Sequence, residues 1–235
     1  ANGWTGIEGL AGIPGTVGAT PIQNVGAYGQ SVSETIAQVR AWNRKTKSVD
    51  TIFAADCEFG YRTSVFKAKP DTWVILSVTF QLPLGTMSAP IAYNELAAKL
   101  KVELGDRVST SDLQTAVLEL RAGKGMVLDS TDHDTWSVGS FFMNPRVTTA
   151  PENAPHWPEA DGTVKVSAAW LIEQAGFNKG FTLNGRAALS GKHTLAITNR
   201  GDATSADISE LADHIVAGVK AKFDIELKPE ATFIN

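Results

Sequence analysis

This sequence has little cysteine, no excess of positive charge and no long apolar run. Cys57 is the sole cysteine among 235 residues, so no disulfide can form within the chain, which is typical of a reducing compartment. The roughly 20 consecutive apolar residues of a membrane-spanning helix are missing. The net charge of −4 argues against binding nucleic acid through its phosphates. We therefore expect a cytoplasmic monomer that acts on a small molecule, with neither nucleic acid nor membrane as a partner.

The spacing patterns of metal sites are missing as well. The four histidines, His133, His156, His193 and His214, show no H-E-x-x-H or comparable spacing. The acidic run from Asp129 to Asp134 lacks the glycine and the distal glutamate of an EF-hand loop. We therefore predict no metal site and expect the acidic run to be a solvated loop. The sequence assigns no role to His133, His156 or His193.

Glycine, in contrast, is concentrated in residues 9–30, GLAGIPGTVGATPIQNVGAYGQ, a segment without any charge. Such a run offers backbone amides, because glycine permits positive φ and leaves the amides uncovered, and clustered amides bind anions such as phosphate. Its spacing matches neither the Rossmann fingerprint nor the P-loop. The alternative is a tight double turn that merely packs closely.

Alternating and helical periodicities along the chain predict an α+β fold. Strands are predicted at 33–43, 49–54, 73–82, 139–142, 194–198 and 225–234, the last interrupted by Pro229. Helices are predicted at 93–101, 112–123, 167–175 and 207–223, with Ser111 as the N-cap of the second and Thr204-Ser205 as the cap of the fourth. Loops are expected at 83–89 and 151–162. A polar stretch at 125–138 marks a domain boundary at its start.

Five polar side chains stand out because of their neighbours. Arg62 in FGYRTSVFK lies between aromatic residues, where the alternative is a packed, partly exposed arginine. Ser140 in GSFFMNP has no histidine or aspartate at triad spacing, which disfavours a hydrolase; its alternative is a half-buried hydroxyl bonded to the backbone. Tyr93 and Lys124 could be a helix-start aromatic and a helix-end lysine that complements the dipole. Glu230 in LKPE could be a surface charge.

Four motifs in this order, GIPGTVGATPIQNVGAYG, FGYRTSVFK, GSFFMNP and LKPE, resemble those of the UDP-N-acetylenolpyruvoylglucosamine reductase (MurB) family, type I. The resemblance implies an incomplete vanillyl-alcohol-oxidase/PCMH-type FAD-binding domain at 1–124 and a smaller α+β substrate-binding domain at 125–224. A strand at 225–235 would return to the first domain. The implied activity is the reduction of UDP-N-acetylglucosamine enolpyruvate to UDP-N-acetylmuramate for peptidoglycan synthesis, with FAD as cofactor and NADPH as hydride donor.

The resemblance also implies roles for individual residues. Arg62 would face the substrate's carboxylate, Glu230 would join it at the enolpyruvyl group, and Ser140 would donate a proton. A guanidinium suits a carboxylate because its planar fork stays cationic. The expected substrate-binding residues are Tyr93, Lys124 and Asn144. The expected FAD-binding residues are Gly12, Ile13, Gly15, Gly18, Ala19, Gln23, Asn24, Gly26, Ala27, Tyr28 and Gly29.

One part of the family pattern has no counterpart here, namely an earlier segment with a G-G-G-S-N-type loop. Because the sequence also begins at Ala1 without a methionine, we expect a piece of a longer protein that exposes edge strands and an apolar face. Two alternatives stay open. One is another flavoenzyme of this broad fold, which would share the glycine segment but would have no need of GSFFMNP or LKPE. The other is a non-catalytic remnant that holds a UDP-sugar without flavin.

Overall fold

The computed structural model describes residues 3–233 and divides the chain into two compact units, Ala1–Arg121 and Ala122–Asn235. Each unit combines short strands and helices around its own apolar core, which confirms the predicted mixture of helices and strands. The sequence analysis placed the boundary slightly later, after Lys124. None of the helices in the described part is long and apolar enough to cross a membrane.

The first unit is built on an antiparallel sheet of three strands. The first unit contains five strands in all, which in chain order are β1 (Gly26–Ala27), β2 (Gln30–Ser31), β3 (Ile36–Asn43), β4 (Ser48–Phe53) and β5 (Trp73–Phe80). The larger sheet has the order β4-β3-β5, and β1 pairs with β2. Val39 lies opposite both Ile52 and Val78, and the three side chains belong to one apolar core. The strands predicted at 33–43, 49–54 and 73–82 are thus confirmed, as β3, β4 and β5.

The other face of this sheet is exposed and partly apolar. Phe53 on β4 and Leu76 on β5 are 58% and 52% exposed. Val49 and Val74, both exposed, lie opposite Trp42 in the same row across the sheet. This agrees with the expectation of an exposed apolar face.

Helices complete the first unit. They are α1 (Val65–Ala68), α2 (Asn94–Leu100) and α3 (Thr110–Gly123). Leu96 on α2 packs with Leu113 and Val117 on α3 in a second apolar cluster. The N-cap prediction for α3 is wrong: the Ser109 hydroxyl accepts a hydrogen bond from the Asp112 amide at 3.1 Å, because the helix starts at Thr110 and Ser111 already lies in its first turn.

The second unit packs two helices against two small antiparallel sheets. Its strands are β6 (Arg146–Val147), β7 (His156–Pro158), β8 (Val164–Val166), β9 (Ala187–Leu189) and β10 (Ile197–Asn199), and its helices are α4 (Ala168–Gln174) and α5 (Ser205–Phe223). Leu171 on α4 and Ile215 on α5 are fully buried in the shared core. Thr204 and Asp207 form a capping box at the start of α5. Both predicted helices of this unit are confirmed.

Three shorter predictions for the second unit are corrected. Within 139–142, only Phe142 makes a strand-like bridge among the described residues. The predicted loop at 151–162 contains β7, because His156 and Pro158 pair with β8. The strand predicted at 194–198 lies slightly later, as β10.

The prediction for the end of the chain is wrong. Described residues 225–233 contain no strand, and only Pro229 forms a bridge, to Phe142. A ladder cannot continue through proline, which lacks an amide N–H. Ile225 and Leu227 are buried in the core of the second unit, so the segment belongs there and not to the first unit. Ile234, the last residue of the predicted strand, lies outside the described residues.

Candidate active site

Four glycines of the glycine segment are explained by their own conformation or packing. Gly12, Gly15 and Gly29 have φ values of +77°, +118° and +84°, which favour glycine. A Cβ on Gly26 would lie 2.9 Å from the carbonyl oxygen of Gln30. These residues agree with either interpretation of the segment, a ligand cradle or a tight turn.

Gly18 is explained by neither conformation nor packing. Its φ is not positive, and a Cβ there would meet only the Ile75 methyl, at an ordinary 3.8 Å. Within residues 3–233, the amides of residues 15–18 donate no hydrogen bond, and Val17 is 61% exposed. The segment therefore presents uncovered N–H donors without any charged side chain, which fits the diphosphate of a dinucleotide cofactor.

Arg62 lies in a tight turn with an unusual backbone. Gly60 and Thr63 exchange both backbone hydrogen bonds, at 3.1 and 3.3 Å, so Tyr61 and Arg62 occupy the central positions. Arg62 has φ of +55°, at a place where turns normally require glycine or asparagine. Such a conformation persists where the surroundings hold it, and it is typical of functional sites.

The arginine turn and the glycine segment are held together. The Arg62 Nη2 donates to the carbonyl oxygen of Gly26 at 2.9 Å, and the Asn24 Nδ2 donates to the carbonyl oxygen of Gly60 at 3.1 Å. Two motifs that the sequence analysis found separately thus form one arrangement in the first unit.

Tyr28 and Tyr93 also meet in this unit. Their rings pack edge to face, with centroids 5.6 Å apart and planes at 78°. Burial, followed by the carboxylate of Glu95, raises the pKa of Tyr28 to about 12, against the opposing charge of Arg121. Burial also raises the pKa of Tyr93, which is nevertheless 41% exposed. Both phenols are therefore neutral hydrogen-bond donors at physiological pH.

Arg121 is a functional candidate that the sequence analysis missed. It is only 8% exposed, and burial lowers the pKa of its guanidinium. Leu113, Val117 and Arg121 follow one another at intervals of four residues, so the arginine lies on the apolar face of α3. That charge in an apolar stripe was the signal that could have revealed it. Its proximity to Tyr28 places a positive charge beside the glycine segment.

Ser140 and Glu230 are brought together in the second unit. Pro229 bridges to Phe142, and the Glu230 amide donates to the carbonyl oxygen of Phe141 at 2.7 Å, so the two segments run antiparallel. Ser140 is half-buried, and its hydroxyl makes no hydrogen bond within the described part of the chain. The alternative of a hydroxyl bonded to the backbone is therefore wrong, and Ser140 can donate to a ligand.

Asn144 and Lys124 are the other predicted site residues of this unit. The Asn144 Oδ1 accepts a hydrogen bond from the Ala168 amide at 2.9 Å, so it caps α4 together with Ser167. The amide nitrogen of Asn144 is then left to donate to a substrate. Lys124 follows the last residue of α3, where the helix dipole favours a cation.

Two carboxylates of the acidic run form ion pairs with basic residues. Asp132 forms an ion pair with Lys192, and Asp134 pairs with Arg200 at 2.8 Å. The Gly191 amide also donates to the Asp134 carboxylate at 2.8 Å. The run is a largely exposed loop, as expected, and two of its carboxylates are also paired. No group of residues suited to a metal ion occurs between residues 3 and 233.

Two of the unassigned histidines have structural contacts. His133 packs on Trp136 with ring centroids 4.2 Å apart. The His156 Nδ1 lies 2.8 Å from the carbonyl oxygen of Ala154. Neither contact suggests a catalytic part. Of the predicted functional side chains, those of Arg62, Tyr28 and Tyr93 belong to the first unit, and those of Lys124, Ser140, Asn144 and Glu230 belong to the second.

Comparisons with known proteins agree with these motifs. The family described as "UDP-N-acetylenolpyruvoylglucosamine reductase, C-terminal domain" matches residues 130–234. Proteins named UDP-N-acetylenolpyruvoylglucosamine reductase include one from Cutibacterium acnes, 54% identical over 99% of this chain and 63% of its own length. Others come from Salinispora arenicola and Mycolicibacterium gilvum, each 52% identical over 100% of this chain, and over 68% and 70% of their lengths.

A solved structure shows the same fold. The UDP-N-acetylenolpyruvylglucosamine reductase of Thermus caldophilus superposes with a TM-score of 0.63 at 22% identity, over 98% of this chain and 64% of that one. The chain thus spans about two thirds of the length of the proteins that it matches.

Proposed function

The chain belongs to the UDP-N-acetylenolpyruvoylglucosamine reductase family, and from that we infer that its protein reduces UDP-N-acetylglucosamine enolpyruvate to UDP-N-acetylmuramate in peptidoglycan synthesis. FAD is the proposed cofactor and NADPH the proposed hydride donor. The observation that carries this proposal is Ser140: a half-buried hydroxyl without a hydrogen bond in the described part, on a segment paired to that of Glu230.

The first unit is proposed to be the C-terminal part of a vanillyl-alcohol-oxidase/PCMH-type flavin domain. The uncovered amides of residues 15–18 support this, since they suit an anionic diphosphate and no side chain there could perform chemistry. When bound, FAD would supply hydride transfer, which amino-acid side chains cannot perform. The chain's own contribution is position and charge.

Arg62 is proposed to bind the carboxylate of the substrate. Its planar guanidinium matches a carboxylate in shape and can donate two parallel hydrogen bonds to it. Charge that develops on the carboxylate during reduction would be stabilised by a cation already held in place. The bond from Arg62 Nη2 to the Gly26 carbonyl oxygen supports that role, because it fixes one edge of the guanidinium.

The second unit is proposed to bind the UDP-sugar and to supply the proton. A serine hydroxyl is a weak acid, so Ser140 can protonate the substrate only if the resulting alkoxide is stabilised. Lys124 is proposed to bind the diphosphate, and Asn144 to donate from its amide nitrogen. Tyr93, in the first unit, is exposed enough to contact the substrate as well.

The replacement Ser140→Ala tests this proposal. We expect NADPH to reduce the flavin at the normal rate, while transfer to the enolpyruvyl substrate slows by about 100-fold or more, the usual size of a general-acid effect. Stopped-flow absorbance of the flavin measures the two half-reactions separately. The exposed Ser130→Ala in the same unit is the control and should leave both rates unchanged.

Two results would contradict the assignment. If Ser140→Ala abolishes flavin reduction by NADPH, the serine does not act as the proton donor. If the longer protein that contains this chain binds a UDP-sugar but stays colourless after incubation with FAD, the non-catalytic alternative is correct.

A further inference from the structure

Asn24 has an unusual position in the glycine segment. It is only 9% exposed, and its φ is +48°. Its Nδ2 donates to the Gly60 carbonyl oxygen at 3.1 Å, while its Oδ1 accepts from the Ser33 amide at 3.1 Å. Both ends of the side-chain amide are therefore engaged by the protein.

The Gly60 carbonyl belongs to the turn that carries Arg62. That turn is closed by the hydrogen bonds between Gly60 and Thr63. Its third residue, Arg62, adopts a left-handed conformation that disfavours every residue except glycine and asparagine. Left to itself, such a turn would relax, so contacts from outside must hold it.

Three such contacts come from residues 22–26. Besides the bond from Asn24, the Arg62 guanidinium donates to Gly26, and the Ser64 hydroxyl donates to the Ile22 carbonyl oxygen at 2.5 Å. Of the three contacts, only the one from Asn24 acts on the backbone inside the turn. The others act on the arginine side chain and on the residue after the turn.

We propose that Asn24 is a positioning residue for Arg62: its side-chain amide fixes the turn at 60–63, and with it the guanidinium, instead of contacting the flavin. The resemblance placed Asn24 among the FAD-binding residues of a segment that would contact FAD through its main chain, so the proposal gives the side chain a part of its own. The inference rests on the proposed function only where it assigns Arg62 a role in the reaction. The effect of Asn24 on the turn is a property of the chain alone.

The test uses two replacements that permit positive φ. Asn24→Gly removes the amide, and Asn24→Asp keeps the acceptor for the Ser33 amide but opposes the Gly60 carbonyl oxygen with a carboxylate. Asn43→Ala is the matched control, since Asn43 is also 9% exposed and its amide bonds Asp50 in the β3–β4 hairpin.

The first readout is hydrogen exchange of the Gly60 and Thr63 amides, which needs no ligand. We expect protection to fall by about tenfold or more in both Asn24 variants and to stay normal in Asn43→Ala. Unchanged protection would overturn the proposal. The equilibrium constant for FAD dissociation is the second readout and should change by less than about twofold; a tenfold loss of FAD affinity would show that Asn24 is a flavin ligand.

The third readout is coupling to Arg62. Transfer from reduced flavin to substrate should slow by about tenfold in Asn24→Gly. In the double variant, with Asn24→Gly and Arg62→Lys together, the rate should be no lower than in Arg62→Lys alone. Additive losses would overturn the proposal. If the unaltered protein shows no turnover while the exchange difference persists, the proposed function fails and the positioning role of Asn24 stands.

Discussion

Replacing Gly18 by alanine separates a ligand-binding glycine from a packing glycine. In the protein itself the added Cβ would meet only the Ile75 methyl at 3.8 Å, and the φ of Gly18 suits alanine. Alanine also reduces the conformational entropy of the unfolded chain, which stabilises by about 0.4–1 kcal/mol where the backbone is compatible. The melting temperature of Gly18→Ala should therefore stay the same or rise.

The cost appears only when a cofactor is bound. If a diphosphate approaches the amides of residues 15–18 to hydrogen-bond distance, roughly 2.9 Å, a methyl group on Gly18 intrudes on it. Steric intrusion into a closely packed contact costs about 1–3 kcal/mol. We therefore expect the dissociation constant for FAD to rise about 5- to 150-fold.

Gly26→Ala is the matched control. Its Cβ would lie 2.9 Å from the Gln30 carbonyl oxygen, a backbone atom that cannot move away cheaply, so this variant should melt at a lower temperature. FAD titration followed by flavin fluorescence, together with thermal melting of the FAD-depleted protein, gives both quantities. Wild-type FAD affinity in a stable Gly18→Ala would refute the cradle assigned to residues 15–18. A wild-type protein that binds no FAD would instead count against the proposed function.

Two further predictions concern the stability of the second unit. Gly218→Ala should lower the melting temperature, because its Cβ would lie 2.4 Å from Cζ of Phe177. The cost of overpacking, about 1–3 kcal/mol, exceeds the gain in helix propensity of about 1 kcal/mol. An unchanged melting temperature would show that the ring moves aside easily. Hydrogen bonds from the Thr204 hydroxyl and amide, with others from Arg186 and Asn184, hold the pKa of Asp207 well below its usual value. The stabilisation is therefore complete above the unfolded pKa of about 4 and is lost as the pH falls through the lower folded pKa. The difference in melting temperature between wild type and Asp207→Asn should accordingly be largest near pH 7 and shrink below about pH 4, and a difference independent of pH would contradict this account.

The regular elements were predictable because their signal is local. The strands β3, β4 and β5 follow from alternating and β-branched residues, and α5 follows from apolar residues three and four apart behind Thr204. Each pattern lies within one stretch of chain, and the apolar face of the element then packs against the apolar surface nearest to it. Their ends shifted by a few residues, since the last turn or pair depends on neighbours.

The irregular elements were not predictable. The segment at 139–142 and the end of the chain are held by contacts between residues far apart in sequence, among them the bridge from Phe142 to Pro229 and the bond from the Glu230 amide to the Phe141 carbonyl oxygen. Alternation at Ile225 and Leu227 indicated a strand, but burial in the core of the second unit produces the same pattern without a ladder. Arg121 was predictable in principle, because a charge on an apolar helix face is visible in the sequence.

By itself, the sequence determined the motifs, their order, the family and the main helices and strands, because each depends on residues close together along the chain. Tertiary structure decided what those motifs do to one another. Only the folded chain brings Asn24 to Gly60, places Arg62 in a left-handed turn and leaves Ser140 without a hydrogen bond in the described part. These are contacts between distant residues, and they exist only after the core has packed and returned one segment to another.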